Sequence, residues 1–377
     1  MAEIACVDLF CGAGGLTRGL LDAGLKVVAG VDVDANCAHP YQQNNEGAKF
    51  HQVDVSELTA DVVRGWLGDA KVRVLAGCAP CQPFSTYGLR YTKPSTVDTD
   101  DRYKGTNGHD HWPLLYQFAR LVMEVEPDVV TMENVPEVVK HQVFRDFVTT
   151  LEKLSYKVWC QVVDSSDYGL PQRRRRTVLL ASKHGELSLE APNLEHKRTV
   201  RDVLSGLAPL TRGGIDVEDP LHAASGLSDL NHDRIRASKP GGTWRDWPEH
   251  LVAPCHTRAS GKTYAGVYGR MSWDEPSPTL TTQFFGFGNG RFGHPEQDRA
   301  LSLREGAILQ GFPRNYSFVP DSKPIHFTVL GRLIGNAVPV DLGKAIGVSI
   351  MRHVEQLAQN TAYEPETAQG RHGEHPC

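Results

Sequence analysis

Two cysteines lie three residues apart in the stretch GCAPCQPFS, residues 77–85, directly after the apolar run KVRVLAG. That run predicts a strand, so Cys78 and Cys81 are expected at the end of a strand. Their spacing is compatible with a redox dithiol, with half of a zinc site, or with a single nucleophile and an incidental neighbour. Each alternative requires different residues elsewhere in the chain.

The rest of the sequence favours the single nucleophile. A structural zinc ion needs about four ligands, and the chain has no second CxxC motif and no CxxC with a spaced histidine pair. A redox dithiol normally continues into a helix, whereas Pro83 forces an extended or turning chain soon after Cys81. One of the two cysteines is therefore interpreted as a nucleophile beside a bound cofactor, and the other as its incidental neighbour.

Other polar or glycine-rich segments also follow predicted strands. The segment DLFCGAGG, residues 8–15, closes the first strand and opens the first helix, where glycines let the backbone approach a ligand. It lacks the GxxxxGK[ST] pattern of a phosphate-binding loop. Asp32 and Asp54 end the next two predicted strands, and carboxylates at successive parallel strand ends face one crevice. This set indicates a pocket for an adenosyl group.

Glu133 ends the apolar run DVVTM, and four arginines, residues 173–176, precede the run TVLLAS. A glutamate leaving an apolar strand is suited to proton donation near neutrality, although it is also suited to capping the next helix. Alternate strand residues share a face, so Arg174 and Arg176 are expected to point the same way. The arginines fit a solvated surface or a site for a phosphate or a base oxygen.

The order of predicted elements indicates how these residues are positioned. Strands and helices alternate along the first 182 residues, which predicts an α/β fold with a doubly wound, mostly parallel sheet. From about residue 190 the sequence is rich in Gly, Pro, Trp and His, typical of a smaller, loop-rich domain. We therefore predict a catalytic and cofactor-binding domain from 1–190 plus 330–359, a smaller domain at 191–329, and a disordered polar tail at 360–377.

The sequence argues against a secreted protein and against a membrane-spanning protein. The N-terminus lacks the pattern of a signal peptide, and no apolar run approaches the roughly 18 residues of a membrane span. A cytoplasmic protein with reduced cysteines is therefore expected.

The charge is distributed unevenly along the chain. Residues 1–171 carry 15 basic and 23 acidic side chains, whereas residues 172–274 carry 16 basic and 12 acidic ones. This positive middle third is compatible with a local nucleic-acid-binding face.

The ordered blocks resemble those of the DNA (cytosine-5) methyltransferases of bacterial restriction-modification systems. The blocks are DLFCGAGGL, the acid of strand two, GCAPCQPFS, ENV, QRRRR, RMSWDEPSPTLTT and GNAVP. They span most of the chain. The resemblance implies an S-adenosylmethionine-dependent methyltransferase fold, Rossmann-like, in which the smaller domain recognises the target sequence.

The resemblance also implies a set of cofactor contacts and no metal. S-adenosylmethionine, and its product S-adenosylhomocysteine, would be bound by Phe10, Gly12, Ala13, Gly14, Gly15, Leu16, Asp32, Val33, Asp54, Val55, Gly77, Pro80, Leu114, Asn336 and Val338. The family often has a glutamate and an aromatic residue where this chain has Asp32 and Val33. A shorter reach to the ribose and weaker stacking on the adenine are therefore expected.

Catalysis is likewise implied by the resemblance. Cys81 would add to C6 of a flipped-out cytosine, Glu133 would hold N3 and the exocyclic amine, and Arg176 would hold O2. Arg174 would support the loop or a phosphate. With Cys81 as the nucleophile, Cys78 would be a small buried neighbour, whose replacement by serine should be nearly silent. The segment 85–111 would close over the base, and segments 239–247 and 255–291 would supply base and phosphate contacts.

The expected partner is double-stranded DNA, with a functionally paired restriction endonuclease, no membrane and a monomeric enzyme. The expected location is the cytoplasm, at the nucleoid of a prokaryote. Two alternatives use the same residues: a tRNA cytosine-5 methyltransferase, against which the long insert argues, and an inert DNA-binding regulatory homologue, which would be expected to lack Cys81 or Glu133.

Overall fold

The computed structural model describes residues 3–80, 113–258, 261 and 266–362. The strands are β1 Ile4–Leu9, β2 Val27–Asp32, β3 Lys49–Gln52, β4 Val72–Gly77, β5 Val129–Asn134, β6 Lys157–Asp164 and β7 Arg175–Ser182. The helices are α1 Gly15–Asp22, α2 Ala38–Asn44, α3 Ala60–Leu67, α4 Pro113–Val125, α5 Gln142–Lys153, α6 Val200–Leu204, α7 Asp229–Ala237, α8 Pro254–Thr257, α9 Leu303–Leu309, α10 Phe327–Asn336 and α11 Val340–Ala362.

The strands form one sheet in the order β3-β2-β1-β4-β5-β7-β6. The first five are parallel, and β7 runs antiparallel to both β5 and β6. Strands β1 and β5 are buried along their whole length, as is typical of central parallel strands with both faces covered. The predicted α/β, mostly parallel, doubly wound sheet is confirmed. The chain changes direction of winding between β1 and β4, and ligands bind at such a point.

Helices cover both faces of this sheet. On one face α1 and α11 pack together, with Leu20 and Ile346 fully buried in a core that also contains side chains of β1 and β4. On the other face α3, α4 and α5 bury Val63, Phe118 and Phe147 against the opposite sides of the same strands. The carboxyl ends of the parallel strands are therefore held rigidly between two packed layers.

The segment predicted as a smaller domain has few regular elements. A compact cluster of its own is formed by Ile235, Trp244, Trp247, Leu251, Phe287 and Ala300. Other residues of 191–329, among them Leu221, Phe284 and Leu303, pack into the core beside the sheet. The boundary at 330 falls inside α10, which begins at Phe327, so the division into domains stays a prediction.

The last helix differs from the predicted ending of the fold. α11 starts directly after Pro339, as expected, but it runs to Ala362 and so includes the first three residues of the segment predicted as a tail. Residues 363–377 lie outside the described part of the chain. Within the described part, one stretch, Phe327–Gln359, is long and apolar enough to cross a membrane by length and composition, yet 72% of its most apolar window is buried in the fold.

Candidate active site

A cavity of about 250 Å³ lies at the carboxyl ends of β1, β2 and β4, facing the turn between α10 and α11. More than half of the predicted cofactor residues line it: Phe10, Gly12, Ala13, Leu16, Asp32, Pro80, Asn336 and Val338. They come from four segments that are far apart in sequence. The parallel strand order gathers the first three segments, and the packing of α11 on α1 brings in the fourth.

Two glycines predicted to bind the cofactor, Gly14 and Gly15, do not line the cavity. They are needed for the conformation and packing of the loop after β1. Gly14 has φ 90°, and a Cβ there would lie 2.4 Å from Nδ2 of Asn45. A Cβ on Gly15 would lie 2.2 Å from the backbone oxygen of Val338. These positions require glycine because the loop after β1 packs directly on other backbone and side-chain atoms. Contacts of Gly14 and Gly15 with the cofactor stay predictions.

The other predicted cofactor residues outside the cavity wall are Val33, Asp54, Val55, Gly77 and Leu114. Val33 is 64% exposed next to Asp32. The carboxylate of Asp54 accepts hydrogen bonds from the backbone N–H and the hydroxyl of Ser56, at 2.8 and 2.7 Å, and so closes a turn after β3. Contacts between these residues and a ligand stay predictions.

Asp32 organises the backbone around the cavity. Its Oδ2 accepts from the N–H of Gly12 at 2.9 Å, and its Oδ1 accepts from the N–H of Asp34 at 2.9 Å. Burial raises the pKa of this carboxyl above its ordinary value, against the lowering effect of the two backbone N–H groups. Each oxygen keeps a second lone pair, so a diol can still be bound. Nearby Phe10 has φ 58°, a strained conformation of the kind found at ligand sites.

Sequence reasoning missed several residues that line the cavity: Asp8, Cys11, Asp34, Cys37, Cys78, Ala79, Arg332, Leu333 and Ala337. Asp8 is 1% exposed, and its Oδ2 accepts from Oγ1 of Thr17 at 2.7 Å. Its Oδ1 is buried and has no hydrogen-bond partner among the described residues. Burial raises the pKa of Asp8 to about 7. The sequence feature that could have identified Asp8 as a cavity residue is its position near the end of β1, in the DLFCGAGG block.

Glu133 lies at the end of β5 with its side chain only 4% exposed. Its Oε2 accepts a hydrogen bond from the Cys78 thiol at 3.0 Å. Its Oε1 lies 2.9 Å from Nε of Arg176, but this ion pair is not aligned as a hydrogen bond, and Oε1 has no hydrogen-bond partner among the described residues. The carboxylate is thus buried, neutralised on one side, and able to accept a further donor.

The two arginines predicted to share a face have different partners. Arg176 pairs with Glu133, whereas Arg174 is 3% exposed and donates to the backbone oxygens of Leu280 at 3.2 Å and Gly335 at 3.0 Å. β7 begins only at Arg175, so the alternation of a strand does not extend back to Arg174. Of its two expected roles, supporting a loop or holding a phosphate, the geometry favours the loop.

The family model for C-5 cytosine-specific DNA methylases matches residues 4–352 of this chain, which includes every block described above. The chain belongs to the C-5 cytosine-specific DNA methylase family. The resemblance inferred from the ordered blocks is therefore confirmed. In this DNA methylase Cys81 and the segment 85–111 lie outside the described residues, so the nucleophile and the closing loop stay predictions.

Known proteins similar to this DNA methylase cover nearly all of it. The type II methylase M.HgiDII of Herpetosiphon aurantiacus is 49% identical over 358 residues, which are 94% of this chain and 96% of that protein. The type II methyltransferase M.Sau96I of Staphylococcus aureus is 30% identical, over 93% and 76% of the two chains. Among solved structures, an E. coli prophage protein assigned as a DNA modification methyltransferase matches with a TM-score of 0.69 at 21% identity, covering 94% and 100% of the chains. That last likeness confirms the fold.

Proposed function

We propose that this DNA methylase transfers a methyl group from S-adenosylmethionine to C5 of a flipped-out cytosine in a specific duplex sequence, through a covalent bond between Cys81 and C6. The observation that carries this proposal is the buried Glu133 carboxylate, which stands between Cys78 and Arg176 beside a cavity lined by the same strand ends. A carboxyl group can donate its proton to N3 and accept from the exocyclic amine, so it matches this edge of cytosine.

The residues around the cavity fit S-adenosylmethionine. A Cβ on Gly12 would meet no atom of the described residues within 4 Å, so the backbone borders the cavity there. The buried Oδ1 of Asp8, which has no hydrogen-bond partner in the described part of the chain, suits the ammonium group of the methionine part. The Asp32 oxygens suit a ribose diol. When bound, the cofactor supplies an electrophilic methyl group.

The chain's own residues prepare the base for methylation. Cytosine C5 is a poor nucleophile, so the Cys81 thiolate first adds to C6, while Glu133 delivers a proton to N3 and accepts from the exocyclic amine. Arg176 donates to O2 and lies 2.9 Å from Oε1 of Glu133, where it stabilises the carboxylate once the proton has moved to N3. After methylation C5 loses its proton to a base such as water, the Cys81 thiolate leaves C6, and N3 returns its proton to Glu133, which restores the aromatic ring. The base must be flipped out of the duplex for these contacts to form.

The relatives also support a biological setting. Because the similar proteins named above are type II methylases, we infer a functional pairing with a restriction endonuclease. All proposed catalytic residues come from one chain, so a monomer is sufficient. Because the proposed substrate is cellular DNA, we infer a cytoplasmic location at the nucleoid. Residues 191–329 would recognise the target sequence.

Bisulfite sequencing of DNA from cells that express the enzyme tests the proposal. We expect one cytosine of a single recurrent sequence to be fully protected from conversion by bisulfite. With Cys81→Ser we expect no protection. A 5-fluorocytosine duplex should trap a covalent complex, because the C5 fluorine cannot leave as a proton does. Retained methylation by Cys81→Ser would refute the nucleophile, and trapping on tRNA but on no DNA would favour the RNA alternative.

A further inference from the structure

The thiol of Cys78 directly contacts the proposed catalytic carboxylate. Its Sγ donates to Oε2 of Glu133 at 3.0 Å, and Cys78 also lines the proposed cofactor cavity. The side chain is half-buried, between the cavity on one side and the carboxylate on the other. It is therefore more than the small buried neighbour expected from the sequence.

Strand pairing fixes this contact. β4 and β5 are parallel neighbours in which Gly77 pairs with Met132, so the next residues, Cys78 just beyond β4 and Glu133 still within β5, lie side by side. Nδ2 of Asn134 donates to the backbone oxygen of Ala79 at 3.1 Å and ties the strand ends together beyond the sheet. A donor on the side chain at position 78 consequently reaches Glu133 without any movement of the backbone.

The two carboxylate oxygens of Glu133 have different surroundings. Oε2 is occupied by the thiol, whereas Oε1, which lies beside Arg176, is buried and has no hydrogen-bond partner among the described residues. Rotation about the last side-chain bond of a glutamate is otherwise soft, because that torsion has broad minima. With the thiol in place, one oxygen is held and the other is available.

We propose that Cys78 is a positioning residue for Glu133. Its S–H holds Oε2, so that Oε1 keeps one orientation toward the cytosine edge. This inference rests on the proposed function, because it assigns a role within the same reaction. A hydrogen bond to a charged acceptor has the strength needed for such a role.

Three variants test the proposal in steady-state methylation assays. Cys78→Ala removes the donor, and kcat should fall about tenfold, the lower end of what a hydrogen bond to a charged group contributes. The DNA KM and the cofactor Kd should change less than about threefold. Cys78→Ser keeps a donor and should recover most of kcat. Cys160→Ala, which removes a half-buried thiol in the middle of β6, serves as the matched control.

A spectroscopic readout is independent of turnover. The S–H stretching band of Cys78, identified by infrared difference against Cys78→Ala, should lie at the low frequency of a donor to a carboxylate. It should move to higher frequency in Glu133→Gln, because an amide oxygen is a weaker acceptor. An unshifted band would overturn the contact. Cys78→Ala with wild-type kcat, or Cys78→Ser as impaired as Cys78→Ala, would overturn the role, whereas an inactive wild-type enzyme would refute the proposed function instead.

Discussion

Replacing Arg174 by methionine should weaken the fold and the cofactor cavity while leaving the chemical step largely intact. The guanidinium is 3% exposed and donates to the backbone oxygens of Leu280 and Gly335. Gly335 directly precedes Asn336, which lines the cavity. Methionine keeps the apolar stem but provides no donor, so two inward-facing carbonyls lose their partner.

The size of the effect follows from these two bonds. Each unsatisfied buried group costs about 1–3 kcal/mol, and part of this is offset because a charge no longer has to be buried. We therefore expect a loss of about 3 kcal/mol in the free energy of unfolding. An unfolding entropy of about 2.1 cal/mol/K per residue gives about 0.8 kcal/mol/K for this chain, so Tm should fall by about 4 °C. The cofactor Kd should rise about tenfold.

The neighbouring arginines provide matched controls for this experiment. Arg173 is 61% exposed on its side chain and pairs with Glu275 at the surface, so Arg173→Met should change stability by less than about 0.5 kcal/mol. Arg176→Met should instead reduce turnover strongly, because Arg176 faces Glu133. Differential scanning calorimetry, cofactor titration and single-turnover methylation measure the three quantities. If Arg174→Met kept its Tm and cofactor Kd but lost turnover more than about 100-fold, Arg174 would be catalytic and the reasoning wrong.

Further outcomes are expected for variants of Gly15, Asp8 and Arg299. Gly15→Ala should reduce stability and cofactor affinity more than Gly12→Ala, because a Cβ at Gly15 would lie 2.2 Å from the backbone oxygen of Val338. A Cβ at Gly12 would meet no described atom within 4 Å, so Gly12→Ala should lose only the roughly 1–2 kcal/mol that φ 52° costs a residue with a side chain. Equal melting temperatures of the two variants would contradict this. Because burial raises the pKa of Asp8 to about 7, the folded state loses stability as pH rises toward and through 7, so the Tm advantage of Asp8→Asn should grow from pH 5 to pH 8. Calorimetry in buffers of different ionisation enthalpy should show proton release by Asp8 on cofactor binding, absent in Asp8→Asn. Arg299→Met should lower the free energy of unfolding, measured with denaturant, by about 3–5 kcal/mol, because it leaves the 1% exposed Glu305 as an uncompensated buried charge. A loss below about 1 kcal/mol would argue against a stabilising role of the Arg299–Glu305 ion pair.

Much of the site was predictable because its parts are local patterns placed at strand ends. The runs before Asp32, Cys78 and Glu133 each predicted a strand. In the structure a strand ends at Asp32, directly before Cys78, and one residue after Glu133. Parallel strands present their carboxyl ends at one edge of the sheet, so the order of elements was sufficient to bring these residues together. The roles of Gly14 and Gly15 were harder to assign, since a glycine-rich turn has the same sequence whether it faces a ligand or another part of the chain.

What the sequence by itself determined is therefore the order of elements, the edge of the sheet at which the predicted site residues meet, and the family. The tertiary structure alone decided which side chains face each other across that edge: Cys78 against Glu133, and Arg174 against carbonyls more than a hundred residues away. It also decided that Asp8 is buried with one oxygen unpartnered among the described residues. Periodicity is a property of neighbouring residues, whereas these contacts depend on strand register and on the packing of distant segments, which short sequence patterns do not encode.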